Sequence, residues 1–179
     1  DFLFENIKKE DHIIVCDDFS DSPTRSILAN YVVDDADKLQ QYDYFQRKFE
    51  GDFAEHHNFV NNLVRDEFDY IFSIDADEIP NKWLIENIHE ILESNDIDLI
   101  WLPRVNTVEG ITEEHIQKWG WRVTEKGWVN FPDYQGRIYK NDKSIYWENP
   151  VHEVIKGAKK ISHFPPQEEF CLYHPKDIE

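Results

Sequence analysis

The chain has 179 residues, enough for one full hydrophobic core and too few for two ordinary domains with separate cores. Hydrophobic residues make up 40% and charged residues 31%, which excludes a disordered chain, and a net charge of −18 excludes a surface built to meet nucleic-acid phosphates. No apolar run approaches the roughly 20 residues that span a bilayer, so no transmembrane segment is expected, and no signal-peptide pattern opens the chain.

Phe2, Leu3, Phe4 and Ile7 suit the last turns of a helix packed on one face. Such an opening, in a chain without methionine, predicts that further sequence precedes Asp1 in the native gene. His12 to Cys16 is a short β-branched run that reads as a buried strand, closed by the polar loop Asp17 to Pro23, with a helix from about Thr24 to Tyr31. Phe53, Val60, Leu63 and Val64 share one stripe of a second helix between Phe53 and Phe68. Tyr70 to Ile74 is another buried strand. Pro80 opens a helix whose inner face is Leu84, Ile85, Ile88, Ile91 and Leu92, and Asp98 to Leu102 is a third strand. From Arg104 onward the pattern turns to short aromatic stretches, read as irregular loops and mixed or antiparallel strands that close one side of the site.

This alternation predicts an α/β fold with a mainly parallel central sheet flanked by helices. One domain is expected over residues 1–179, with a nucleotide-binding half at 1–103 and an acceptor- and metal-closing half at 104–179. Cys16 and Cys171 have neither zinc-site nor disulfide spacing, so reduced thiols and a cytoplasmic location, with or without peripheral membrane attachment, are expected.

Ligands of such sheets bind at the carboxyl ends of strands, where two acidic pairs fall. Asp75 and Asp77 follow a five-residue strand and emerge together into the loop, so hard oxygen ligands can hold Mg²⁺ or Mn²⁺ against a diphosphate. The same Asp-X-Asp spacing occurs at Asp35/Asp37 and Asp96/Asp98, but the former follows only three apolar residues and the latter precedes a strand. Glu78 adds an acid to the Asp75 turn; the competing reading is that these acids cap the helix near Pro80. Asp17 and Asp18 close the earlier strand, where an acid accepts hydrogen bonds from a base or ribose or satisfies the turn backbone.

The chain resembles family 2 glycosyltransferases of the GT-A fold, closest in motif pattern to lipopolysaccharide-core-type sugar transferases. The resemblance rests on Val15 to Thr24, His56 to Phe59, Ile74 to Pro80, Gln135 to Tyr139 and Asn149 to Glu153, in the family's order along most of the chain. It implies an inverting transferase moving a hexose-type sugar from a nucleotide diphosphate donor, a UDP-sugar favoured, to a hydroxyl of a glycan or lipid-linked acceptor. It implies Asp18 at the uracil or ribose, Asp75 near the donor's ribose or sugar and on the metal side of the turn, and Asp77 on a Mn²⁺ or Mg²⁺ ion. Asn58 and Arg137 join the nucleotide-sugar contacts, Arg137 by neutralising diphosphate charge. Where the family often carries an arginine before that asparagine, this chain has His57. The family's first strand is expected before Phe2.

Inversion requires a base for the acceptor hydroxyl. Glu153 is the first candidate and Asp133 the second; the competing reading pairs His152 with Glu153 structurally at a strand edge. His174 is placed in the metal shell because a late histidine completes it in many GT-A enzymes. Two alternatives remain at this stage. A sugar-phosphate nucleotidyltransferase would carry a glycine-rich phosphate loop, which this sequence lacks. A non-catalytic glycan-binding domain of the same fold would have no need of the carboxylates.

Overall fold

In the computed structural model, which describes residues 2–30, 40–64 and 67–178, the chain divides into two units: Asp1–Glu67 with Tyr146–Lys156, and Phe68–Ile145 with Gly157–Glu179. The first unit holds α1 (Phe2–Asn6), β1 (Ile13–Asp17), α2 (Ser22–Asn30), β2 (Tyr42–Gln46), α3 (Phe53–Leu63), β7 (Tyr146–Glu148) and β8 (Val154–Lys156). β1 and β2 pair in parallel, from Ile13 against Tyr42 to Asp17 against Gln46. β7 and β8 form an antiparallel pair. The Asp52 side chain caps α3 by accepting from the Glu55 amide at 2.8 Å, which satisfies a donor the helix leaves open. Asn58 then straps α3 to β7: its Nδ2 donates to the Trp147 carbonyl at 2.8 Å, and its Oδ1 accepts from the Trp147 amide at 2.9 Å.

The second unit is built on a six-stranded sheet. Its strands are β3 (Tyr70–Phe72), β4 (Ile79–Pro80), β5 (Leu99–Glu109), β6 (Val129–Lys140), β9 (Ile161–His163) and β10 (Leu172–Asp177), with helices α4 (Lys82–Ser94) and α5 (Glu113–Trp119). The order is β3-β6-β5-β10-β4, and β9 pairs with the start of β5. The amphipathic face of α4 covers the sheet: Leu84 is fully buried with Ile100, Leu102, Ile138, Phe164 and Leu172, while Ile88, Ile91 and Leu92 pack against that cluster. Each fully buried Leu or Ile side chain contributes about 1.5–3 kcal/mol. This core fixes the sheet on which the acidic turn sits.

Along β5 the two-residue period puts Ile100, Leu102, Arg104 and Asn106 on one face. On β10, Leu172 lies opposite Arg104 and His174 opposite Asn106. One face of the sheet therefore begins as apolar core and becomes polar toward the carboxyl ends of β5 and β10. A register shift adds to this: Ile100 pairs with Ile138 but Trp101 with Gly136, so Arg137 is the extra residue of a β-bulge. Bulges of this kind re-aim a side chain beside functional sites.

The α/β alternation read from the sequence is present, with a sheet flanked by helices. The expectation of mainly parallel pairing is corrected in the second unit. There β3-β6, β5-β6 and β4-β10 are antiparallel, while β5-β10 and β5-β9 are parallel. Beyond Arg104 the chain is far more regular than the aromatic pattern suggests, because β5 runs on to Glu109 and β6 spans 12 residues. Polar Arg104 and Asn106 interrupt the apolar run without ending the strand; buried Val105 between them keeps the alternation. The helix expected at Pro80 starts at Lys82, with Pro80 in β4 and Asn81 capping it through Trp83 N at 2.9 Å. The strand expected to reach Ile74 ends at Phe72. Helix α3 stops at Leu63 rather than Phe68. Tyr31, Asp35 and Asp37 lie outside the described residues. Both cysteines are free thiols, and burial pushes Cys171 up to about 12.

Candidate functional site

In the second unit the Asp-X-Asp turn closes on itself. The Glu78 amide donates to the Asp75 carbonyl at 3.0 Å, and the Asp75 amide donates to Glu78 Oε2 at 3.2 Å. The Glu78 side chain has no exposed surface. Its Oε1 accepts from Arg104 Nη1 at 3.0 Å and from Arg137 Nη2 at 2.7 Å, and the same Arg137 Nη2 reaches Asp75 Oδ2. A buried carboxylate needs such partners to offset its desolvation, and two arginines supply them. Sequence reasoning treated Glu78 as one more acid; its burial makes it the keystone of the turn.

Asp77 points outward, with 62% of its side chain exposed, and its Oδ2 lies 2.9 Å from Nε2 of His174, which is 4% exposed. Burial works to raise the Asp77 carboxyl, but the hydrogen bond and charge of His174 outweigh it and hold the group below its ordinary range. On the other side of the ring, His174 Nδ1 lies 2.7 Å from Asn106 Oδ1. Asn106 Nδ2 donates to Asp133 Oδ2 at 3.0 Å. That donor assignment fixes the amide's orientation, so Nδ1 faces an acceptor and carries a proton. Nε2 is left as the atom directed at Asp77. Asp133 is fully engaged: its Oδ2 also accepts from Arg104 Nε and Nη2 at 3.0 and 2.7 Å, and its Oδ1 from Gln135 at 2.9 Å.

The structure separates the three Asp-X-Asp matches where it describes them. Asp96 and Asp98 sit at the other end of β5, paired with Lys140 and Lys160, and Asp98 accepts from the Lys159 and Lys160 amides at 2.9 Å. Those backbone bonds hold Asp98 down to about 2. That pair is structural.

In the first unit, the two acids after β1 diverge. Asp17 is buried and accepts from the Ser20 amide at 3.1 Å, the Ser20 hydroxyl, Tyr44 at 2.7 Å and Gln46 at 3.2 Å. The Ser20 hydroxyl bond is the main cause that carries Asp17 down to about 2, while burial and Asp17 push Tyr44 up to about 12. Asp18 is exposed, with Oδ1 accepting from the Phe49 amide at 2.8 Å. Glu153 Oε1 lies 3.9 Å from His57 Nε2, and the His57 ring stacks on Trp147 with centroids 4.3 Å apart. The partner sequence reasoning offered for Glu153 was His152; the side chain facing it is His57. Asn58 spends its amide on the Trp147 backbone as described above.

The family model described as Glycosyl transferase family 2 matches residues 1–156. The chain belongs to glycosyltransferase family 2. Its fold is therefore of the GT-A type, and as a glycosyltransferase of this family it falls in a group that works with nucleotide-sugar donors. No curated protein gives a match. His174 lies beyond the matched residues, so its place beside Asp77 comes from the structure. No helix among the described residues is long and apolar enough to cross a membrane.

For a divalent cation, the glycosyltransferase offers a carboxylate and a ring nitrogen. Among the described residues no group of three or more His, Cys, Asp or Glu side chains could hold an ion unaided, and Asp75 is occupied by Arg137. An ion held by only two protein ligands keeps waters and can take substrate phosphate oxygens. The Oδ2 to Nε2 separation of 2.9 Å is that of a direct hydrogen bond, which an ion would replace. One carboxylate and one imidazole could hold such an ion only with waters and phosphate oxygens completing its shell.

Proposed function

We propose that this glycosyltransferase transfers a hexose-type sugar with inversion from a UDP-sugar to a hydroxyl of a glycan or lipid-linked acceptor, and that it works with Mn²⁺ or Mg²⁺. The observation that carries the reading is the Asp77–His174 pair: an exposed carboxylate and a buried, oriented ring nitrogen 2.9 Å apart. In the second unit, Asp77 and His174 hold the cation. Asp75, fixed by Arg137 and Glu78, faces the donor's ribose or sugar, and Arg137 adds positive charge behind it. When bound, the cation offsets the charge that develops on the departing diphosphate. In the first unit, Asp18 accepts from the base or ribose on a loop that Asp17 shapes, and Asn58 holds α3 in place beside these contacts.

Glu153 takes the proton of the acceptor hydroxyl. Its carboxylate is half-buried, within 3.9 Å of a histidine and short of a hydrogen bond to it, so its oxygens keep capacity to accept. Asp133, by contrast, has both oxygens engaged by protein donors. A non-catalytic glycan-binding domain of the same fold would have no metal-dependent affinity for donor. Calorimetric titration of UDP, with and without Mn²⁺, separates the two readings: binding that requires the ion is expected, and no binding in either condition would overturn the proposal.

A further inference from the structure

Asp75 and Asp77 are both tied to one residue that neither of them touches. Asp133 sits on β6 directly across from Arg104 of β5. Arg104 and Asn106, two residues apart, share a face of β5 and both donate to Asp133 Oδ2. From there two arms diverge. One runs through Asn106 and the ring of His174 to Asp77. The other runs through Arg104, Glu78 and Arg137 to Asp75.

We propose that Asp133 is a positioning residue that anchors Asp77 through Asn106 and His174, and Asp75 through Arg104, Glu78 and Arg137. The inference rests on reading Asp77 and His174 as the cation pair. Asp133 accepts three donors on Oδ2 and one on Oδ1, so both of its oxygens serve protein donors. Its negative charge does two other things. It orients the Asn106 amide, because a flipped amide would set its oxygen against a carboxylate. It also holds Arg104, whose third donor steadies Glu78. Outer groups that orient a ligating histidine set both its tautomer and its basicity.

Two variants of the 179-residue chain and two signals test this. Asn106→Leu removes the amide at similar volume; Asp133→Asn keeps shape and removes the anchoring charge. Long-range ¹H–¹⁵N spectra of the imidazole report where the His174 proton resides, and the electron spin resonance of free Mn²⁺ reports ion affinity in the presence of UDP. The wild type is expected to carry the proton on Nδ1 with Nε2 unprotonated once Mg²⁺ is added. Asn106→Leu is expected to lose the Nδ1–H and leave the proton on Nε2, which faces the Asp77 carboxylate, and both variants to bind Mn²⁺ about 10- to 100-fold more weakly. Melting curves identify any variant that fails to fold, in which case the other decides. Folded variants with an unchanged Nδ1–H signature and Mn²⁺ affinity within about twofold of wild type would overturn the anchor. Should the wild type bind no Mn²⁺, the metal reading falls. The metal-free spectra still decide the anchor: it stands if Asn106→Leu loses an Nδ1–H signature that the wild type has, and falls if it does not.

Discussion

Glu78→Gln changes one oxygen to an amide nitrogen and removes the only charge of a side chain with no exposed surface. The wild-type carboxylate accepts from Arg104 at 3.0 Å and Arg137 at 2.7 Å. Breaking a buried ion pair by removing one partner costs about 3–5 kcal/mol, because a charge is left uncompensated. Here Arg104 keeps Asp133 at 2.7 Å and Arg137 keeps Asp75, which places the cost at the low end. Arg137 Nε is already buried without a hydrogen-bond partner, so losing the Glu78 contact adds to an existing deficit. We predict a loss of about 3 kcal/mol, equivalent to a fall in melting temperature of about 6–12 °C for a chain of this size. Urea unfolding followed by the fluorescence of the six tryptophans reads it directly. A loss below about 1 kcal/mol, with an unchanged denaturant slope, would refute the claim that Glu78 holds the turn.

Two further outcomes follow from the first unit. Asp17 is depressed from 3.8 to about 2 on folding, so its contribution is fully present above its unfolded value and is lost as pH falls from about 4 through 2. Acid unfolding of Asp17→Asn should therefore differ from wild type at neutral pH and converge with it toward pH 2, and parallel curves across that window would contradict the assignment. Glu153→Gln should lower kcat about 100- to 10,000-fold with donor binding unchanged; activity within a few-fold of wild type would remove Glu153 as the base.

Much of the fold was legible locally. The β-branched run ending at Cys16 and the apolar stripe through Leu84, Ile88 and Ile91 each announce one element, because strand and helix periods are short. The exposed position of Asp77 was legible too, since a polar run after a strand leaves the sheet for solvent. What the sequence hid is long-range. Asn106 and His174 are 68 residues apart and meet only because β10 pairs with β5 in that register. Arg104 and Asn106 looked like the end of a strand, since nothing local shows that Asp133 and Glu78 satisfy them. Glu78 and Asp75 differ by three positions and look alike in sequence, yet the fold buries one side chain and leaves 42% of the other exposed.

The most direct test of the central claim repeats the UDP titration on Asp77→Ala at matched Mn²⁺. Ion-dependent UDP binding is expected in the wild type and its loss in the variant, with the fold intact, since Asp77 is exposed and its removal leaves the Glu78 turn unaltered. Binding that persists unchanged in Asp77→Ala, or that never depended on the ion, would contradict the assignment of the Asp77–His174 pair to the cation.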